Sequence, residues 1–394
     1  MSLPPPRPAA EAPRLFFLDW LRIVAFGVLV AYHTGMYYVT WPFHLKSPWA
    51  SHALEPWMKL TEPWRMSLIF MVSGAATALM LRRAPPLPLL RQRSRRLLLP
   101  LLAGVLVVVP PQAYLEAMQK FGYAGSYADF LALYFSGYGG FCQAGRCLIL
   151  PTWNHLWFLP YLWLYTALLL GAVALWPAGL RRVGAGLARV LAGGGLLAWP
   201  AALLFWMRWQ LSPRFPVTYA LVGDWFSHAM YGALFLTGAA WAADGRVWPR
   251  LERWRAIGLT LALAAWAALV LGQPRGWAGH AVLALLQWNA LVAAFGYARR
   301  YLNRDGAWRT RLNEAVFPVY VLHQTILLIA AWRLRPLGLP PALEGPLLLA
   351  VTLVLGYAGY EGIRRVSALR PWFGLARATP AQPRVALPQP LPPP

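Results

Sequence analysis

The sequence predicts an all-α, polytopic membrane protein with about ten transmembrane helices. Three observations predict it. The chain has 394 residues, 59% of them hydrophobic and only 12% charged, which lies outside the range of soluble domains. Apolar runs close to the roughly 20 residues that cross a bilayer recur along it. Basic residues fall in short clusters between those runs, so the net charge of +23 does not indicate a nucleic-acid partner.

The runs give approximate spans of 16–40, 62–81, 97–118, 153–176, 188–208, 227–243, 256–272, 278–297, 314–332 and 345–363. With a cytoplasmic N-terminus, 25 Lys and Arg residues fall in inside segments and nine in outside segments. Basic loops stay on the cytoplasmic side, so both termini are expected there. Residues 1–14 lack the pattern of a signal peptide and are expected to remain as a cytoplasmic segment. Residues 15–370 form the transmembrane domain. Residues 371–394 are a Pro-rich cytoplasmic tail, expected to be disordered from about Ala378.

The first span, LFFLDWLRIVAFGVLVAYHTGMYYVT, carries Asp19, Arg22 and His33. An ionisable group at membrane depth is costly unless it is paired or faces a polar cavity. Arg22 and His33 are 11 residues apart, about 20° past three full turns, and Asp19 lies about 40° off the same line. The three share a face, with His33 about 16 Å beyond Arg22. That face reads as one wall of a polar path through the membrane. The alternative is an interfacial Asp19–Arg22 pair plus a packing His.

Arg65 opens the second span near the depth of His33, where a snorkelling interface residue is the plainer reading. Ser73 and Gly74 in that span are small enough to let helices approach closely. The RQRSRRLLLP element sets Arg93, Arg95 and Arg96 at the start of the third span. Positive-inside topology explains them, and so does an anionic ligand, because guanidinium forks match phosphate. Cys142 and Cys147 fall in an expected outer loop, where a disulfide and two free thiols are equally compatible. They lack partners suitably spaced for a metal site.

His155 opens the fourth span among aromatics, either as part of an interfacial belt or as a functional group. His323 follows Pro318 at mid-span. A packing role suits it, since Pro318 frees backbone groups for hydrogen bonding. Glu361 near the end of the tenth span is expected at the depth of Arg22, as its ion-pair partner.

These residues resemble the integral-membrane acyltransferase-3 family. The resemblance rests on Arg22 with His33, IFMVSG ending in Ser73–Gly74, RQRSRRLLLP, HLWFL from His155 and PVYVLHQ around His323. The glucan biosynthesis protein C branch is closer still, at FLD..R, at Arg65–Met66 with Ser73–Gly74, and at Tyr360–Glu361. The match runs from about Leu15 to Arg370. Ala75 departs from it, standing where an aromatic is usual.

The resemblance implies ten helices in a bacterial inner membrane, a cytoplasmic acyl-CoA donor (acetyl-CoA or succinyl-CoA) and a hydroxyl acceptor on an extracytoplasmic glycan. It places the functional core at Arg22 and His33. The chemistry agrees. A sugar hydroxyl needs a base, and His33 can serve as one or carry the acyl group itself. Arg93, Arg95 and Arg96 suit CoA phosphates, and Arg65 an oxyanion or the acceptor. Asp19, Ser73, His155, His323 and Glu361 complete the candidate substrate-binding set. Acyl-CoA, glycan and bilayer are the expected partners, a homo-oligomer is compatible, and no metal is expected. The rival class is a proton-coupled transporter, which would also use intramembrane charges; the chain lacks the inverted repeat such carriers carry.

Overall fold

Apolar runs bounded by proline, glycine and short polar turns become helices, because lipid leaves backbone groups no partner outside the segment. The computed structural model describes residues 15–143 and 145–377. The N-terminal segment 1–14 and the tail from Ala378 lie outside the described residues.

Thirteen α-helices are present among the described residues. The first four are α1 (Phe16–Tyr38), α2 (Glu55–Leu81), α3 (Pro86–Ala103) and α4 (Pro110–Phe121). Next come α5 (Tyr127–Ser136), α6 (Phe158–Leu175), α7 (Gly179–Val190) and α8 (Gly195–Leu211). The last five are α9 (Trp225–Asp244), α10 (Val247–Leu271), α11 (Gly276–Leu302), α12 (Ala307–Leu334) and α13 (Pro341–Arg365). Every expected span coincides with helix. The third is broken: α3 runs through a π-helical turn at Gly104–Val108 into α4, with a bend of 42° before Pro110, where proline supplies no amide hydrogen. The fifth is also bent, α7 meeting α8 at 110° across the glycines 193–194. Helix α5 is additional and sits in the expected outer loop, with Ser126 and Asp129 forming a reciprocal cap at its start. Cys142 and Cys147 in the same loop form a disulfide across a two-stranded hairpin. At the other end of the chain, Arg370–Phe373 form a 3-10 turn, and Leu375 is buried.

Among the described residues, seven helices are long and apolar enough to cross a membrane, and nine spans result if each bent pair counts as one. Helix α9, 20 residues or about 30 Å long, is long enough but less apolar than these, so the ten expected spans are approximate. Helix α9 lies along α2 in the opposite direction. A Cβ on Gly74 would meet the Phe235 carbonyl oxygen, and one on Gly238 would meet that of Met71. Backbone contact this close fits a bilayer interior, where packing rather than water exclusion holds helices together. It also bears out the small-residue reading at Gly74. Beside this pair, Trp241, Trp248, Trp288 and Phe295 meet largely edge to face at the centre of the main core.

Candidate active site

Helices α1 and α12 carry the site as a ladder of three rungs. Arg309 is ion-paired with Asp19. Arg22 donates from Nη2 to the Asn313 carbonyl oxygen at 2.8 Å. His33 Nδ1 lies 2.8 Å from His323 Nε2. The partners are separated by 290, 291 and 290 positions. A constant offset means that the two helices run in the same direction and in register. The shared face expected for Asp19, Arg22 and His33 is therefore real, and what it faces is α12.

The donor and acceptor at each ring nitrogen follow from one backbone group. His323 Nδ1 lies 2.6 Å from the Tyr320 carbonyl oxygen. A carbonyl only accepts, so Nδ1 carries the hydrogen. In the neutral ring, His323 Nε2 is then an acceptor, and His33 Nδ1–H donates to it. That leaves His33 Nε2 with its lone pair and, among the described residues, no hydrogen-bond donor on it. His323 thus makes the backbone bond that a packing role predicts, and also orients a second imidazole. His155 is used up differently. Its Nε2–H donates to the Val321 carbonyl at 3.0 Å, its Nδ1 faces Gln112, and its ring stands edge-on to His323 at 5.0 Å. It is 6% exposed and ties the 3-10 turn Asn154–Trp157, just before α6, to α12.

His33 lines a cavity of about 530 Å³. Phe43 lies over the His33 ring at 6.1 Å. Arg65 stacks its guanidinium on Tyr32, 3.2 Å from the ring centroid. No carboxylate lies within ion-pair distance of Arg65 among the described residues, and its Nε has no partner. The remaining walls are rich in aromatic and hydroxyl groups, among them Trp153, Trp157, Tyr219 and Tyr231. The mouth carries His44, Glu116 and Lys120, with Glu116 bonded to both His44 at 2.5 Å and Lys120 at 2.6 Å.

The other end of the ladder is cationic. Arg93 is 8% exposed and donates to Thr77 Oγ1 at 3.2 Å. Arg22, Arg93 and Arg96 lie within electrostatic reach of one another. The Nε atoms of Arg22 and Arg93 are buried without partners. Residues 93 and 96 are one turn apart and turn inward; Arg95, two positions from Arg93, is exposed on the far side. Ser73 sits one turn before Thr77, outside the His33 cavity. Glu361 is not the partner of Arg22. It binds Arg311 at 2.7 Å and Arg364 at 2.7 Å, because α13 packs on the side of α12 that carries Arg311.

Sequence reasoning missed Arg309, Asn313 and the Tyr320 carbonyl. A signal for the first existed. Arg309 and His323 are separated by 14 residues, as are Asp19 and His33, so α12 repeats the spacing of α1.

The family model described as Acyltransferase domain, of the acyltransferase-3 type, matches residues 15–361. No curated protein and no solved structure matches the chain. The matched region contains every rung of the ladder and both arginines of the inward-facing pair, and the chain belongs to the acyltransferase-3 family of membrane acyltransferases.

Proposed function

We propose that the protein moves an acyl group, succinyl or acetyl, from a cytoplasmic acyl-CoA to a hydroxyl of an extracytoplasmic glycan, as in the glucan biosynthesis protein C branch. The observation that carries this reading is the hydrogen bond from His33 to His323, which leaves a free imidazole lone pair on a polar, aromatic-lined cavity. Aromatic faces and hydroxyl-binding groups suit a sugar. The cationic end of the ladder, on the arginine-rich side, suits the phosphates of the donor.

His33 Nε2 takes the proton of the acceptor hydroxyl as its oxygen attacks the thioester carbonyl. Arg65 faces the oxyanion that develops. The carbon–sulfur bond breaks, and the thiolate leaves with the proton returned from His33. The imidazolium formed in between keeps both of its hydrogens directed, one at His323 and one at the reacting centre. Should Nε2 take the acyl group first, the same residue remains indispensable.

The test is turnover by purified protein in a defined bilayer. Acetyl-CoA and succinyl-CoA are offered with a glucan acceptor, and both free thiol and acylated glycan are measured. Stoichiometric release of both supports the reading. Movement of the glycan or of protons across the bilayer without thiol release would replace it with a transporter.

A further inference from the structure

A second cavity, of about 430 Å³, lies at the end of the bundle that holds Arg22 and Arg93. It is built where α2 ends, α3 begins, α6 passes to α7 and α9 ends. Its floor is apolar, formed by Ala78, Leu81, Val173 and Leu180, and the rings of Pro85 and Pro86 flank it. Three arginines stand at its rim: Arg82, Arg83 and Arg181. Arg82 is held by the Ala242 carbonyl at 2.6 Å. No carboxylate lies within ion-pair distance of any of the three among the described residues. The acid that follows the lining residue Ala243, Asp244, is already bound by Arg246 at 2.8 Å. The cavity is also connected to the site. Ala78 on its floor follows Thr77, which receives the bond from Arg93.

We propose that this cavity binds the nucleotide end of the donor, a purine 3′-phosphate. The inference rests on the acyl-CoA reading and extends it to residues outside the expected cluster. An apolar slot with flat proline walls suits a planar base. Unpaired arginines at the rim suit a phosphomonoester, which they can bind through paired charge-assisted hydrogen bonds. The diphosphate, further along the donor, then falls toward Arg93 and Arg96. The two anionic parts of one molecule are thus met by two separate groups of arginines.

The shared chemistry is a phosphoanion, and an anionic lipid headgroup is the other source of it. Binding of CoA and of 3′-dephospho-CoA to the purified full chain separates the two. Wild type should bind CoA about tenfold or more tightly than dephospho-CoA. The double variant R83Q/R181Q should bring that ratio to about one with its melting temperature unchanged, since both side chains are exposed. A ratio that persists in the folded double variant, or a wild-type ratio of one, overturns the proposal. Loss of phosphatidylglycerol binding in the double variant with the CoA ratio intact assigns the cavity to lipid and overturns it too. Selective CoA binding without acyl transfer would leave the cavity standing while the transferase reading fell; transfer without CoA selectivity would do the reverse.

Discussion

His33 Nδ1 lies 2.8 Å from His323 Nε2, and the two ring planes are parallel within 3°. The relationship has a direction, because the Tyr320 carbonyl fixes the hydrogen of His323 and His323 in turn fixes that of His33. One helix carries the imidazole with the free lone pair, and a neighbour running parallel to it carries the group that orients that ring. The arrangement follows the logic by which a base is held by a third group in nucleophilic catalysis.

The first prediction concerns this pair. His33→Gln removes the proposed base and should lower turnover by roughly 10²–10⁴ while donor binding persists. His323→Phe leaves His33 free to rotate and should lower kcat with little change in KM. His323→Asn offers a carbonyl oxygen to the same hydrogen and should recover part of the loss. If Phe and Asn at 323 behave alike in well-folded protein, His323 is only a packing residue.

The second prediction concerns Arg65. Its guanidinium rests on Tyr32 and meets no carboxylate, so its charge is available to the cavity. Arg65→Gln should lower kcat by about 10²–10³, the usual loss when an oxyanion donor is removed. Arg65→Lys should recover little, because a point ammonium neither stacks on the ring nor forks. Full activity in the Lys variant would reduce Arg65 to a simple positive charge.

The third prediction tests the scaffold. Gly238→Leu places a side chain against the Met71 backbone, which cannot yield as a side chain would. Overpacking of this kind typically destabilises by about 1–3 kcal/mol. The variant should melt lower in detergent, whereas Gly27→Leu should not, since a Cβ there meets nothing within 4 Å. Equal melting of the two would mean that α2 and α9 are not packed at this distance.

Much of this was legible in the sequence, for physical reasons. Helix positions follow from apolar length, which lipid enforces. The face shared by Asp19, Arg22 and His33 follows from helix period alone. What the period does not give is the partner across the face. Glu361, an acid at the same depth, is the partner the sequence suggests for Arg22, yet depth does not fix which helix lies alongside. In the fold, Arg22 meets a backbone carbonyl of α12, and Glu361 meets Arg311 and Arg364. His155 and His323 likewise look alike as isolated histidines. Only their neighbours distinguish them: both nitrogens of His155 point at protein groups, while His323 spends one on His33. Breaks in helices are harder to read: the π-helical turn before Pro110 leaves the apolar run unbroken, and α7, with Arg181, Arg182 and Arg189, reads as a polar loop before the apolar α8.

The fourth prediction is topological. Parallel α1 and α12 require an odd number of crossings between them. Helix α2, the pair α3–α4, α6, the pair α7–α8, α9, α10 and α11 supply seven. Residues before α1 and after α13 should therefore lie on one side, and the arginine excess predicts that this side is the cytoplasmic one. A reporter active only outside the cytoplasm should be silent when fused after Arg370. Activity there would remove one crossing from the count.

The fifth prediction separates a binding cluster from a topology signal at Arg22, Arg93 and Arg96. Three cations within electrostatic reach of one another, Arg93 buried and Arg22 and Arg96 half-buried, with two Nε atoms unpartnered, form an arrangement that disfavours the empty fold. An anionic ligand relieves it. Arg93→Gln should therefore melt at or above wild type when no ligand is present, because one repelling charge is gone. Ligand should reverse the order. At a concentration of 100 Kd, CoA stabilises wild type by about 2.7 kcal/mol. A variant that binds tenfold more weakly gains about 1.4 kcal/mol less. A side chain that served only to orient the loop would show neither effect, since removing it would leave the CoA-induced shift unchanged. Equal shifts in the two proteins, measured by thermal melting across a CoA titration, would return Arg93 to a purely topological role.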